Sequence, residues 1–467
     1  MTTRTERDSF GPVEVPADRF WGAQTARALG YFQQTPPRMP LAVIRAFGLQ
    51  KAAAATANME LGVLEPRLGS AIVSAAERLA AGDLDAHFPL SIWQTGSGTQ
   101  TNMCANEVLA NVANVALGGA LGDRAPVHPN DHVNRSQSSN DSFPAVMHIA
   151  ALREAEARLL PALRDMAEML ATRRAEAGRA GTMRLGRTHL NDAVPVPLAQ
   201  MFATWGASLD HVRTRLSRVT EDLRPLSQGG TAAGSGLNAP EGFAAAFCAA
   251  LTDRAGTRFT PAPVPAEGMA AHDALVALAH ELRLTAQALA RIATDIRHLA
   301  SGPRAGLAEL TLPEDGLSSS IMPGKRNATQ AEAMLQISCR LAGNAATAEA
   351  ANATSVFELN VCKPVLIAAV LDSVDLLSDA LPRFAAFVAG VTPNAARMAE
   401  TIERSLMLAT ALTPALGYDR VAEITREADA SGATIREVVL AHDLMPEAQF
   451  DALIATITGR PLKETDR

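Results

Sequence analysis

The stretch LAQMFATWGASLDHVRTRLSRVTEDLRPL, Leu198 to Leu226, decides the fold. Within it Leu198, Phe202, Trp205, Leu209, Val212, Leu216, Val219, Leu223 and Leu226 step by four and three in strict alternation. An apolar side chain every 3.5 positions keeps one seam turned toward a partner, so the spacing predicts a long helix in a left-handed bundle. Working outward, Leu275, Leu278, Leu282, Leu289, Ile292, Ile296 and Leu299 repeat the pattern and stop before Gly302-Pro303, a C-terminal stop signal. Leu366, Val370, Val374, Leu377 and Leu381 predict a third such helix. The Ala-rich stretch from Ala328 to Thr354, free of proline, predicts a fourth.

Helices near 30 residues reach roughly 45 Å, longer than a compact single-chain core needs. Alanine at many of their other positions leaves more than one face fit for close packing. The expectation is an elongated bundle that associates with copies of itself, with a monomeric bundle as the alternative. Residues 1–138 read as a mixed helix and loop domain, 139–391 as the bundle domain and 392–467 as a small helical unit. Thr392 as N-cap and Pro393 at the first helical position are expected to open that unit. The fold class is therefore mainly all-α, in three domains.

A chain of 467 residues has room for two or three domains and a sizeable core. Its 48% hydrophobic and 19% charged content is that of a soluble globular protein. A net charge of −7 and a pI near 5.9 argue against nucleic acid or an anionic membrane as partner. A local cationic site for a small anion remains compatible with that total. Cys104, Cys248, Cys339 and Cys362 are scattered, which supports neither a disulfide framework nor a zinc site. The start, MTTRTERDSFG, has no apolar signal region, and no apolar run approaches the roughly 20 residues that span a bilayer. A cytoplasmic protein is expected.

The polar chemistry is concentrated in four loops, each expected to run into a helix. They are GSGTQTN (Gly96 to Asn102), SQSSND (Ser136 to Asp141), GRTHLND (Gly186 to Asp192) and SSSIMPGKRN (Ser318 to Asn327). A helix N-terminus offers unpaired N–H groups and partial positive charge, which suits a carboxylate or phosphate. One such loop is ordinarily a plain cap; four together point to a distributed anion site. GSGTQTN lacks the Gly-Lys-Ser/Thr ending of a phosphate-binding loop, so no nucleotide site is implied. The glycine-rich GTAAGSG, Gly230 to Gly236, follows a long helix and reads as a helix-to-helix connection.

Of the 42 basic residues only Lys51, Lys325, Lys363 and Lys463 are lysine. Against that bias Lys325 stands out, because a compact ammonium suits charge building on one small oxygen. Ser319, close to it, has a hydroxyl that such surroundings could stabilise as an alkoxide. His189 can exchange protons near neutral pH, or is a solvated loop histidine. Glu332, one turn into the following helix, is either a surface carboxylate or the group that holds and charges a histidine.

Together WQTGSGTQTNM (Trp93 to Met103), HPND (His128 to Asp131), SQSSND, GRTHLND and SSxMPGKxN (Ser319 to Asn327) resemble the class II fumarases of the fumarase/aspartase superfamily. The likeness runs from about Phe20 into the C-terminal unit, with its SLMLATAL and GYD. Aspartases are similar but typically carry Gln where His189 stands and Ala where Gly324 stands. The resemblance implies three mostly helical domains, a bundle completed by four chains, sites shared between chains, and no metal or organic cofactor. It implies reversible hydration of fumarate to (S)-malate; a lyase or hydratase for mesaconate, aspartate or another C4 dicarboxylate is the alternative. A non-enzymatic, crystallin-like homologue is a further alternative, which the retained Ser319, Lys325, Asn327, His189 and Glu332 disfavour.

By position, the resemblance makes Ser319 the base that takes a C3 proton from malate, while Lys325 and Asn327 hold the carboxylate that gains charge. His189, paired with Glu332, handles water on the opposite face. Ser97, Gly98, Thr99, Ser138, Ser139, Asn140, Thr188 and Ser320 grip the substrate carboxylates, and Glu314 to Gly324 form a lid. The sequence departs from the family in Ser318, Arg326 and Ala328. A second anion site is implied at His128, Pro129, Asn130 and Asp131. The basic residues that usually precede it are replaced by Ala125-Pro126, with Arg124 one step away, so a plain turn is expected there.

Overall fold

The structure, a computed structural model, describes residues 2–317 and 321–458. Its main elements are helices; the heptad stretches form Leu198–Glu221, Asp273–Leu299 and Lys363–Gly390, and the Ala-rich stretch forms Thr329–Asn352. The predicted seams are the buried faces. Leu198, Phe202, Trp205, Leu209, Val212 and Leu216 are all 3% exposed or less, and so are Leu275, Leu282, Leu289 and Ile296. Each such side chain contributes about 1.5–3 kcal/mol when removed from water. Val219 is half-buried instead, because the helix ends at Glu221 and Thr220 turns inward. Leu223 and Leu226 stay buried beyond the helix end, in the turn and the short strand that follow.

The chain divides into two compact units. One comprises Met1–Pro161, Arg213–Ala286 and Ile337–Asp379. Its centre is the helix Leu41–Glu60, buried on nearly every face, the mark of a core helix rather than a surface one. Close packing there needs small residues. A Cβ on Gly48 would lie 2.4 Å from the Ala80 backbone nitrogen in the neighbouring helix Pro66–Ala81. The helices Thr99–Ala116 and Ser139–Glu154 complete the part of this unit that carries polar loops.

The other unit comprises Ala162–Val212, Gln287–Gln336 and Ala380–Arg467. Its C-terminal helices, Ala395–Arg404, Tyr418–Ser431, Ile435–Ala441 and Glu447–Thr458, enclose Ile402, Leu408, Leu412, Ile424, Val439 and Phe450. The expected start of this segment is corrected. Thr392 and Pro393 form a short strand paired with Leu310–Thr311, and Asn394 is the cap, accepting from the Arg397 N–H of the helix Ala395–Arg404. Among the described residues no helix is long and apolar enough to cross a membrane.

Candidate active site

In the first unit the loops GSGTQTN and SQSSND meet through their hydroxyls. Ser97 Oγ lies 2.7 Å from Thr99 Oγ1, which in turn lies 2.8 Å from Ser139 Oγ. Both glycines before Thr99 are required by their surroundings. A Cβ on Gly96 would fall 1.3 Å from the Val361 carbonyl oxygen, and one on Gly98 would strike the Phe143 ring, at a φ of +76°. Gly98, as N-cap, lends the helix Thr99–Ala116 no side-chain cap, and the Thr101 N–H of its first turn donates instead to Gln94 Oε1 at 3.0 Å. A helix start whose N-cap residue lends no side chain, beside three hydroxyls, is a place for a carboxylate.

Ser138 has a different task. Its hydroxyl accepts from Asn140 N–H while the Asp141 carboxylate accepts from Ser138 N–H, a capping box at the start of Ser139–Glu154. Asp141 also accepts from Gly229 N–H, Thr231 N–H and the Gln228 side chain, and Asn140 donates to the Ala232 carbonyl. The loop that begins GTAAGSG is thereby fastened beside SQSSND, and it does join the helices Leu198–Glu221 and Phe243–Ala255. Burial pushes the Asp141 carboxyl up to about 6 despite these donors.

HPND forms a single wide turn, Pro129–Val133, capped by His128, whose Nδ1 accepts from Asn130 and Asp131 N–H. Burial, aided by the Arg124 charge, lowers the His128 pKa against the opposing pull of Asp131, which favours the neutral ring that this role uses. Asp131 lies 3.1 Å from the same nitrogen. Pro129 is buried and Asn130 is exposed.

In the second unit GRTHLND does not run into a helix, a second correction. Met183–Thr188 and Asn191–Pro197 pair antiparallel, and His189 and Leu190 make the two-residue turn at φ values of 57° and 63°. Such a turn normally takes glycine or asparagine, so two bulky residues there carry backbone strain. The hairpin is anchored by Arg187, whose guanidinium makes two hydrogen bonds to the fully buried Glu309 carboxylate. Thr188 and His189 project at its exposed tip.

Lys325 and Asn327 are exposed on the loop before Thr329–Asn352, and Lys325 N–H donates to the Met322 carbonyl. Asp315 ties that loop to the helix start through the Thr329 hydroxyl, 2.7 Å away, and Arg326 pairs with Glu314. Ser318, Ser319 and Ser320 lie outside the described residues. Glu332, in the first turn of the helix, stands 3.9 Å from Arg297. Among the described residues no cluster of three or more His, Cys, Asp or Glu side chains is placed to hold a metal ion.

Sequence reasoning missed Gln50, Lys51, Asn134 and Gln228, which side-chain hydrogen bonds join to Asn102 of GSGTQTN and Gln137 of SQSSND. The available signal was Lys51 itself, a lysine inside the otherwise apolar run of a core helix.

A family model described as lyase matches residues 11–343, and one described as the fumarase C C-terminus matches residues 408–457. The chain is 50% identical over 453 residues to a fumarate hydratase class II from Brucella suis, covering 97% of each. Its fold is similar to a class II fumarase from Schistosoma mansoni, with a TM-score of 0.93 and 36% identity over 98% of this chain and 100% of that one. It is likewise similar to a fumarate lyase:delta crystallin from Brucella melitensis solved with cobalt bound, with a TM-score of 0.94, 36% identity and the same coverage.

Proposed function

The chain belongs to the class II fumarate hydratase family, and from that premise we propose that it hydrates fumarate reversibly to (S)-malate in the cytoplasm, as a homotetramer without metal or organic cofactor. The observation that carries the site is the hydroxyl chain Ser97–Thr99–Ser139, which joins two helix starts into one anion-binding surface. Ser97, Gly98, Thr99, Ser138, Ser139 and Asn140 form that surface. Ser138 contributes by holding the helix start in shape, as its capping role supports.

In the dehydration direction Ser319 takes the proton from C3 of malate, and the electron pair moves into the neighbouring carboxylate. Lys325 and Asn327 hold that group as it gains charge, an interaction stronger along the reaction than before it. The C2–oxygen bond then breaks on the opposite face, with His189 protonating the leaving hydroxide and Glu332 orienting the imidazole. Thr188 and Ser320 complete the carboxylate contacts, and the loop from Glu314 to Gly324 closes over them. The exposure of Thr188, His189, Lys325 and Asn327 in a single chain supports a site finished by neighbouring chains. The three-segment division 1–138, 139–391 and 392–467 is proposed with it.

The test is direct. Purified protein is incubated separately with fumarate, mesaconate, and aspartate, and the C=C absorbance is followed with and without chelator. Fumarate absorbance should fall toward an equilibrium with malate in both cases. Activity confined to aspartate, or abolished by the chelator, would overturn the reading.

A further inference from the structure

Lys51 lies on the core helix Leu41–Glu60 and is fully buried. Its ammonium donates to Asn102 Oδ1 at 2.8 Å, Gln137 Oε1 at 2.9 Å and Asn134 Oδ1 at 3.0 Å. Three donors meet three acceptors, so the group is saturated. Asn102 ends GSGTQTN and sits in the first turn of its helix, while Asn134 precedes SQSSND and Gln137 belongs to it. One cation therefore cross-links the two loops from below. Gln50 extends the link, donating to Gln137 and to Gln228.

A neutral side chain could cross-link as well, and a buried charge is costly. None of the three acceptors is charged. The charged group acting on Lys51 is Asp141, whose carboxylate already accepts from Ser138, Gln228, Gly229 and Thr231. The Phe47 ring, 5.9 Å away, adds only a weak attraction. A charge kept in so costly a place, on neutral ligands, has its use in the field it projects. Its ligand Asn102 lies in the first turn of the helix whose start carries the hydroxyl chain Ser97–Thr99–Ser139.

We propose that Lys51 is a positioning residue that holds GSGTQTN and SQSSND in register and gives them the positive charge that draws in a substrate carboxylate. This rests on the reading of those loops as the carboxylate grip. Burial pushes the ammonium down to about 7, so a bound dianion and protonation of Lys51 favour each other.

The experiment compares the wild-type protein with Lys51→Met at pH 6.5, on the charged side of the lowered ammonium pKa. KM for fumarate should rise about tenfold with kcat changed much less, the pattern of a lost long-range attraction. Inhibition by the dianion succinate should weaken more than inhibition by the monoanion butyrate. If Lys51→Met does not fold, Asn102→Asp decides, since it sets a carboxylate on the ammonium and gives up only the 3.2 Å bond from Asn102 Nδ2 to Asn134 Oδ1. A structural cross-link would be strengthened at unchanged KM, whereas a charge role raises KM without lowering the thermal midpoint. Unchanged KM, or a fall in kcat alone, overturns the proposal. A wild-type protein inert toward fumarate would instead remove the functional reading beneath it.

Discussion

Lys325 occupies a place that this chain almost always gives to arginine, and the difference between the two cations is geometric. An ammonium is a compact point charge with rotatable donors; a guanidinium is a planar fork. On an exposed loop held at the Lys325 backbone by Met322, an arginine would fit without disturbing the fold. Lys325→Arg should therefore keep the thermal midpoint and lose kcat on the order of 100-fold, with kcat/KM falling alongside, because the lost contact belongs to the transition state. Steady-state kinetics check this, and a near-normal kcat would mean that charge alone suffices. The lysine bias that singled out Lys325 applied equally to Lys51 and Lys363, both fully buried. It was overlooked there because neither sits in a polar loop, and only the fold reveals which loops lie above Lys51. Gly98 shows the same limit: its neighbour Phe143 is close in space and distant in sequence.

The heptads were legible because a helix seam is written locally, one side chain every three or four positions. The hairpin at His189 was not, since its turn residues lack the Asn-Gly signature and Pro195 and Pro197 are uncommon in strands. What holds that strained turn is remote in sequence: Glu309, fully buried, which also accepts from the Thr401 hydroxyl. Removing one partner of a buried ion pair leaves the other uncompensated, at about 3–5 kcal/mol. Glu309→Gln should thus lower the thermal midpoint by several degrees and reduce kcat as His189 loses its fixed bearing. In the double variant Arg187→Met/Glu309→Leu the midpoint should return toward wild type without recovery of kcat, because apolar packing replaces stability but not the orientation of the tip. Calorimetry and kinetics on the single and double variants separate the two effects. A Glu309→Gln enzyme with wild-type midpoint and kcat would show that the strands hold the turn unaided.

At the scale of the whole molecule, the hairpin tip and the lysine loop that the family resemblance assigns to the site are surface features of a single chain. His189 and Leu190 project at a hairpin tip, Lys325 and Asn327 are exposed, and Leu317 and Ile321 are 67% and 81% exposed. The helix Thr329–Asn352 leaves Gly343, Ala346 and Ala350 exposed opposite its buried seam, a stretch small enough for another helix to approach closely. These features fit the proposed tetramer, in which SQSSND, GRTHLND and SSxMPGKxN are supplied by three chains. Two inactive variants, His189→Asn and Ser319→Ala, each damage a different loop. Mixed as separate tetramers they should stay inactive. After co-refolding in equal amounts, each site draws its histidine loop and its serine loop from different chains, each intact half the time, so about a quarter of sites should be wild type. With one variant tagged, hybrid tetramers can be isolated and their activity compared with that fraction of the wild-type rate. Hybrids that form and remain inactive would place both loops in the same chain, and the exposed tip at His189 would then need a different partner.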